Sequence, residues 1–229
     1  MKAPGTGLRA LRYWEARQAA LANNLANVST PGFKAERVFA RLLDERTAIV
    51  EGATDFSAGT LNATGRPLDV ALIGDGFLVV ETPQGRRWTR GGALSLDDTG
   101  ALVDGAGHRV LGTSGPLVLP PGRVEVGLDG SVKVNGDRVG SLLVERSTDS
   151  APLLREGSNL WLPSAGKEAA PTGEVQVRQG QLEESNVDPV TALVEMIEIQ
   201  RAYSAVQRSM RTADGAMETI TTRIGRVGG

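Results

Sequence analysis

Both ends of the chain carry a pattern in which mostly apolar residues alternate spacings of three and four, and this pattern commits both ends to long helices. Near the start it runs through Leu11, Trp14, Gln18, Leu21, Leu25 and Val28. Near the end it runs through Leu193, Met196, Gln200, Tyr203, Gln207, Met210, Asp214, Met217, Thr221 and Ile224. This spacing places the residues on one side of a helix, as in a coiled-coil seam. We therefore predict an N-terminal and a C-terminal helix that pair with each other as a coiled coil.

Local signals predict where the two helices end and begin. Asp188 is a good N-cap and Pro189 follows at the first helical position, so the C-terminal helix should begin there. The N-terminal helix should end at Thr30-Pro31-Gly32, because the residue before a proline is pushed out of the α region. A stripe of small residues beside the first seam would let another helix come close: Ala19, Ala22 and Ala26.

The middle of the chain lacks a helical period. Short apolar runs alternate there with glycine-containing turns, and the chain has 29 glycines among 229 residues. DGS at 129–131 and NGD at 135–137 are hairpin signals, and GDGF at 74–77 indicates a tight turn between two apolar strands. We predict a mainly β chain in which an antiparallel β domain is inserted between the terminal helices.

These patterns divide the chain into four parts. The predicted parts are an N-terminal axial helix at 1–32, a connector at 33–56, a β-rich outer domain at 57–181 and a C-terminal axial helix at 182–229. The connector sequence FKAERVFARLLDER fits either a short helix or an extended arm.

Catalytic or metal-binding sets of side chains are not evident in the sequence. The chain has no cysteine, which excludes disulfides and thiolate chemistry. Its one histidine, His108, lies in a turn sequence, and no GxSxG motif surrounds a serine. The acidic pairs Asp97-Asp98 and Glu183-Glu184 are adjacent in sequence, and adjacent residues rarely share a metal ion. We expect neither an enzyme nor a cofactor or metal site.

Charge and hydropathy bear on the partners. The net charge is -2 and the basic residues are scattered without interleaved aromatic residues, so we expect no nucleic-acid partner. No apolar run approaches the ~18 residues of a membrane span, so we expect no direct membrane insertion. The sequence MKAPGTGLRALRYWEAR lacks the apolar core of a secretory signal, and we expect no cleaved signal peptide.

Three stretches of the chain resemble one family, the bacterial flagellar axial proteins of the rod and hook. They are ALANNLANVSTPGFKAERVF, TGRPLDVALIGDGFLVVETPQGRRWTRGGALSLDDTGALVDGAGHRVLG and GQLEESNVDPVTALVEMIEIQRAYSAVQ. They occur in the family's order and span most of the chain. Four residues depart from those usual in the family while keeping size or polarity: Arg66, Leu78, Trp88 and Leu94.

The resemblance implies a structural role. Members of this family are subunits of the basal-body rod, the helical tube that passes torque from motor to hook, and the chain is most similar to proximal-rod members. The implied partners are copies of the chain itself, other flagellar rod and axial proteins, and the flagellar type III export apparatus. The implied location is the rod, in the periplasmic space.

A rod subunit must bury helix surface against neighbouring subunits as well as against its own partner helix. Asn23, Asn24 and Asn27 lie off the predicted seam, and we expect their amides to form hydrogen bonds across subunits, where an unmatched amide is costly. Phe33 is expected to anchor the turn after the helix. The residues expected at assembly interfaces are Leu21, Asn23, Asn24, Leu25, Asn27, Val28, Pro31, Gly32, Phe33, Asn186, Val187, Leu193, Met196, Gln200, Arg201 and Tyr203.

Two other interpretations of the sequence remain open. One is a distal-rod subunit of the same family. The other is a β-rich adhesin or phage-tail module that oligomerises through coiled coils. Adhesin stalks rarely split one coiled coil between both termini, so the position of the helices distinguishes an adhesin from a rod subunit.

Overall fold

All of the described strands lie between two helices in the order of the chain. A computed structural model describes residues 3–42, 48–148, 153–157, 159–163, 166–170 and 173–227. Helix α1 spans Ala3–Ala26 and helix α2 spans Pro189–Val227. All strand pairings among the described residues are antiparallel. The prediction of a mainly β, antiparallel chain with terminal helices is confirmed.

The contacts within the chain divide it into two compact units. The helical unit comprises α1, α2 and two strands, β1 (Glu36–Leu42) and β2 (Ala48–Thr54). The β unit comprises Asn27–Ala35 and Phe56–Val187. The turn that follows α1 therefore belongs to the β unit.

The connector is a β-hairpin. β1 and β2 pair in continuous register from Glu36 opposite Thr54 to Leu42 opposite Ala48. The helix alternative predicted for this segment is therefore wrong. Its sequence supports a strand because Val38, Phe39, Ile49 and Val50 favour the extended backbone.

The two helices contact each other through a seam that differs from the predicted one. The most buried residues are Ala20, Leu21 and Asn24 on α1 and Ala192 and Ile199 on α2. Leu193 and Gln200 are exposed, so their placement in the internal seam is wrong. The first turns of α2 are apolar on two sides, and Leu193 lies on a different side from the buried Ala192 and Ile199.

The strands of the β unit are short and numerous. In chain order they are β3 (Leu61–Ala63), β4 (Val70–Ile73), β5 (Phe77–Thr82), β6 (Gly85–Thr89), β7 (Ser95–Leu96), β8 (Leu102–Val103), β9 (Arg109–Gly112), β10 (Gly115–Pro116), β11 (Val124–Val126), β12 (Ser131–Val134), β13 (Asp137–Ser141), β14 (Val144–Ser147), β15 (Leu160–Trp161), β16 (Lys167–Ala169), β17 (Gln176–Gln179) and β18 (Gln181–Glu183).

These strands form one large sheet and three smaller ones. The large sheet runs β15-β6-β5-β9-β8-β7; β10 adds to β9, and β14 pairs with both β5 and β16. The smaller sheets are β11-β12-β13, β17-β4 and β18-β3. The last two pairings bring the C-terminal strands of the unit back beside its first strands.

The predicted turns occur where glycine and asparagine signals placed them. Asn135 and Gly136 have φ values of 54° and 90° and join β12 to β13, as a two-residue hairpin turn requires. Asp129 and Gly130 lie in the turn between β11 and β12. The predicted turn around Gly74 separates β4 from β5, although these two strands pair with other neighbours.

The core of the β unit has an aliphatic and an aromatic part. Leucines and valines form the larger part, including Leu78, Val80 and Val110. The aromatic part contains Phe77 stacked on Trp88 at 5.1 Å between ring centroids. The indole N–H of Trp88 donates to Glu145 over 2.7 Å, so the tryptophan that departs from the family's tyrosine still supplies a polar hydrogen.

Candidate assembly site

The turn after α1 is fixed by its own residues. The backbone N–H of Thr30 donates to the Asn27 carbonyl over 3.0 Å, and the Thr30 hydroxyl donates to the Asn27 side-chain oxygen over 3.1 Å. Gly32 adopts φ 68°, and a Cβ placed there would lie 2.2 Å from the Arg90 carbonyl oxygen. The turn therefore requires glycine for its conformation and for its close approach to the sheet.

A buried ion pair joins this turn to the last strand of the β unit. The Lys34 ammonium lies 2.6 Å from a carboxylate oxygen of Glu183, and both side chains are almost wholly buried. Lys34 also donates to the Ser57 carbonyl over 2.6 Å, and Glu183 accepts from the Gly59 N–H over 3.0 Å. These bonds satisfy charges that would otherwise be costly in the interior.

Asn186 extends the same connection by pairing with backbone on both sides. Its side-chain oxygen accepts from the Ala35 N–H over 2.7 Å, and its side-chain nitrogen donates to the Ser57 carbonyl over 3.1 Å. The carbonyl of Glu183 accepts from the Gly32 N–H over 2.7 Å. We refer to the contacts of residues 32–35 with Ser57, Gly59 and residues 183–186 as the junction.

Two arginines complete the surroundings of the junction. The Arg90 guanidinium lies 3.5 Å from the second carboxylate oxygen of Glu183 and donates to the Leu72 and Gly74 carbonyls. Burial lowers the pKa of Arg90, and the nearby Glu183 charge opposes that shift. Arg155 donates to the Lys34 carbonyl over 3.0 Å and lies over the Phe33 ring at 4.3 Å.

The junction brings together two of the places where the chain leaves the β unit. Residues 35 and 36 lead into the β1–β2 hairpin, and residues 187 and 188 lead into α2. Because Ala35 is bonded to Asn186, these two exits are adjacent within the β unit. Phe33 is only 3% exposed, and its burial beside the turn supports the anchoring role predicted for it.

The helical unit has its own cross-links. The Tyr203 hydroxyl donates to Glu15 over 3.0 Å, and Arg17 lies 3.7 Å from Glu195. The partner numbers on α2 fall as those on α1 rise, so the helices are antiparallel. At the start of α2, Asp188 accepts from the Thr191 N–H over 2.7 Å, and this bonding lowers the pKa of Asp188 and confirms the predicted cap.

The asparagines at the end of α1 differ in their surroundings. Asn24 is 6% exposed, and its amide makes two bonds with the backbone of Glu36, each 2.8 Å long. The prediction that Asn24 lies off the internally packed side is therefore wrong, because the amide is matched by the β1 backbone of its own chain. Asn23 is exposed, and Asn27 is partly buried in the turn beyond the helix.

The predicted assembly residues fall into three groups in the structure. Leu21, Asn24 and Leu25 lie on or beside the inner side of α1, and Met196 and Tyr203 are partly buried on α2. Asn23 is exposed on α1, and Leu193, Gln200 and Arg201 are exposed on α2. The remaining residues belong to the β unit, in the turn or at its C-terminal exit: Asn27, Val28, Pro31, Gly32, Phe33, Asn186 and Val187.

The sequence did not single out the charged residues of the junction. No residue near Lys34, Arg90 or Glu183 in the sequence indicates that these three side chains lie together. The available signal was their occurrence inside the three stretches that resemble the axial family, in GFKA, WTR and LEES. A lysine, an arginine and a glutamate at such positions could have been considered as a set.

Other chemistry is sparse in the described part of the chain. It holds no group of three or more His, Asp or Glu side chains arranged for a metal ion. The His108 ring nitrogen Nδ1 lies 3.0 Å from Asp104, as part of a turn. No helix among the described residues is both long and apolar enough to cross a membrane.

Three family models match segments of the chain. The model described as flagella basal body rod protein matches residues 6–34. The model described as flagellar hook protein FlgE/F/G D1 domain matches residues 71–134, and the one described as flagellar basal body rod FlgEFG protein C-terminal matches residues 178–223. The first match includes residues 32–34 and the last match includes residues 183–186, and these two segments meet at the junction.

Curated relatives match over most of their length. The flagellar basal-body rod protein FlgF of Caulobacter vibrioides is 34% identical over 223 residues, covering 90% of this chain and 91% of the relative. FlgF of Escherichia coli is 34% identical, covering 86% and 88%. FlgG of Bacillus subtilis is 29% identical, covering 94% and 96%. The chain therefore belongs to the flagellar basal-body rod protein family, whose members are structural proteins rather than enzymes, and it resembles FlgF more than FlgG.

Proposed function

We propose that this chain is a structural subunit of the proximal segment of the flagellar rod. It polymerises with copies of itself and with other rod proteins into the helical tube that transmits torque from motor to hook. The observation that carries the proposal is the match to FlgF over nine tenths of both chains.

The architecture supports a division of labour along the chain. The axial helices predicted at 1–32 and 182–229 act through α1 and α2, which pair as a coiled coil. The connector predicted at 33–56 acts through β1 and β2, and the outer domain predicted at 57–181 lies in the β unit. The antiparallel contacts between α1 and α2 support the pairing. The junction supports a common attachment of the β1–β2 hairpin and α2 to the β unit along the chain, because a buried ion pair with several hydrogen bonds resists displacement.

Torque transmission gives the junction a mechanical meaning. Force that enters from the helical unit passes along the chain to residues 32–35 through the β1–β2 hairpin and to residues 183–186 through α2. Bonds between these two segments let both carry the load together. The residues named above as assembly residues contact neighbouring subunits directly or hold the segments that do.

The cellular route follows from membership of a rod. The subunit reaches the periplasmic space through the flagellar type III export apparatus without a cleaved signal peptide, and it neither inserts into the membrane nor binds nucleic acid. A chain with no cysteine is unaffected by the change of redox compartment.

A distal-rod role is the second candidate. The observation that favours it is the match to FlgG of Bacillus subtilis over 94% of this chain. The adhesin or tail-module alternative loses its basis because the chain belongs to the rod family.

Electron cryo-microscopy of basal bodies tests the proposal. Basal bodies are purified from the source bacterium, and the chain is traced in its layer. We expect it between the base of the rod and the distal segment. Its absence from the rod overturns the proposal, and its presence in the distal segment supports the second candidate. Deletion of the gene should leave cells without hooks, and the unaltered gene should restore them.

A further inference from the structure

The last residues of the β unit return to the residues that begin it. β17 pairs with β4, and β18 pairs with β3. The Gln179 side chain donates to a backbone carbonyl 112 positions earlier in the chain, and the Asn186 side chain accepts from a backbone N–H 151 positions earlier. We call residues 175–186 the closing segment.

The other strands of the β unit are joined mostly to their neighbours in sequence. β5 pairs with β6, β7 with β8 and β8 with β9, and the sheet β11-β12-β13 follows the order of the chain. The pairing of β14 with β5 is more distant, but both strands precede the closing segment. Contacts between near neighbours cost little loop-closure entropy and form quickly, whereas distant contacts form slowly. The large sheet and the three-stranded sheet can therefore form before the closing segment is in place.

β3 and β4, by contrast, depend on the closing segment. Among the described strands, β3 pairs only with β18, and β4 pairs only with β17. Val177 of β17 is 2% exposed and belongs to the same aliphatic core as Val70 and Leu72 of β4. Glu183 of β18 supplies the charge that matches the buried Lys34. The β unit is complete only when the closing segment has been added.

We propose that the closing segment is the last part of the β unit to fold. Because unfolding retraces folding under the same conditions, it is also the first part to detach. In a chain that is exported with its N-terminus first, the β unit stays incomplete until residue 186 has left the channel. That consequence rests on the proposed function, whereas the order of folding is a property of the purified chain.

Refolding and unfolding rates in urea test the order of folding. All measurements use the full chain with Trp14→Phe, so that the fluorescence comes from Trp88 and Trp161 in the β unit. Val177→Ala and Val110→Ala remove the same atoms from buried positions, but Val110 lies in β9 of the large sheet. A contact that is absent from the transition state of folding affects the unfolding rate and leaves the refolding rate unchanged.

The two variants should therefore differ in their refolding rates. We expect Val177→Ala to raise the unfolding rate about tenfold and to change the refolding rate by less than about twofold. Val110→Ala should slow refolding by about threefold or more, because its contacts form with the large sheet. Equal effects of the two variants on the refolding rate, or a larger effect of Val177→Ala, overturn the inference.

Hydrogen exchange of the unaltered chain measures the same order without a substitution. The backbone N–H of Val177 donates to the Leu128 carbonyl over 3.0 Å, and that of Gly180 donates to the Asp69 carbonyl over 2.8 Å. At low urea concentrations these two amides should exchange at least about tenfold faster than the bonded amides of β5 and β9, through an opening that leaves the large sheet closed. Equal exchange in both sets of amides also overturns the inference. Absence of the chain from the rod overturns the proposed function and leaves this order of folding standing.

Discussion

The Lys34 ammonium lies 2.6 Å from the Glu183 carboxylate although 149 positions separate the two residues, and both side chains are buried. The pair links the segment after α1 to the segment before α2. Neither charge is solvated, so the loss of one partner leaves the other uncompensated. The junction therefore contains two buried charges, each of which depends on the other.

Replacing one member of the pair should destabilise the β unit strongly. We expect Lys34→Met or Glu183→Gln to lower the free energy of unfolding by about 3–5 kcal/mol, as for other broken buried pairs. The double variant Lys34→Met/Glu183→Met should lose less than the sum of the single variants, because it removes both charges of the pair and only Arg90 then lacks the nearby carboxylate. Urea unfolding of the full chain, followed by tryptophan fluorescence, measures the effect, since Trp88 and Trp161 are fully buried in this unit.

Lys133→Met is the matched control, because Lys133 is an exposed lysine of the same unit. It should change the free energy of unfolding by less than about 0.5 kcal/mol. Equal effects at Lys34 and Lys133 would show that the junction adds nothing to stability.

A methyl group at Gly32 should be costly for two separate reasons. The φ of 68° disfavours any side chain, at about 1–2 kcal/mol. The added Cβ would also meet the Arg90 carbonyl at 2.2 Å, which adds about 1–3 kcal/mol of overpacking. Gly65→Ala isolates the first cost, since Gly65 has φ 70° and no atom within 4 Å of the added Cβ. Gly32→Ala should therefore be the less stable variant in urea, and equal midpoints would contradict the close approach.

Much of the fold could be predicted because its signals are local. The N-cap at Asp188 and the turn at Asn135-Gly136 each depend on neighbours in sequence, and each occurs as predicted. The predicted end of the first helix at Thr30-Pro31-Gly32 is wrong by several residues, because α1 ends at Ala26 and the Asn27–Thr30 bonds already form a turn. The connector was ambiguous because a seven-residue strand and a short helix draw on the same apolar residues. Its hairpin depends on pairing with a second strand that local propensity does not reveal.

The candidate site was harder to predict because its contacts are distant in sequence. Nothing near Lys34 indicates that Glu183 is its partner, and the sequence marks Glu183 only as one member of the acidic pair Glu183-Glu184. Asn24 was placed outside the packed side because an apolar pattern passes over a polar residue. Its burial depends on the Glu36 backbone, which becomes available only when the hairpin forms.

Acidification should weaken the β unit through its aspartate turns. Hydrogen bonds from the Thr99 side chain and the Ala101 backbone lower the pKa of Asp97, and the Ser131 side chain and backbone lower the pKa of Asp129. A lowered folded-state pKa contributes stability that is present above the unfolded value of about 3.9 and is lost as pH falls through the folded value. The urea midpoint should therefore hold above about pH 5 and fall below about pH 4.

The variant Asp97→Asn/Asp129→Asn checks this assignment, because an amide oxygen still accepts hydrogen bonds but does not titrate. Its urea midpoint should fall less steeply below about pH 4 than that of the unaltered chain. Asp98→Asn controls for the removal of one negative charge in the same turn. If the urea midpoint falls equally below about pH 4 in the unaltered chain and in both variants, the acid sensitivity arises from other carboxylates.

Replacing Asn24 should loosen the helical unit even though it improves helix propensity. Alanine gains a few tenths of a kcal/mol as a helix former. The same change removes both amide bonds to Glu36 and leaves its N–H and carbonyl without these partners, at about 1–3 kcal/mol for each group that stays buried. The loss exceeds the gain, so Asn24→Ala should speed hydrogen exchange at the Glu36 amide and along β1. Asn23→Ala is the matched control, since it makes the same chemical change one residue earlier at an exposed position. Its exchange along β1 should stay close to that of the unaltered chain. If both variants exchange alike, the Asn24 amide does not hold the hairpin to α1.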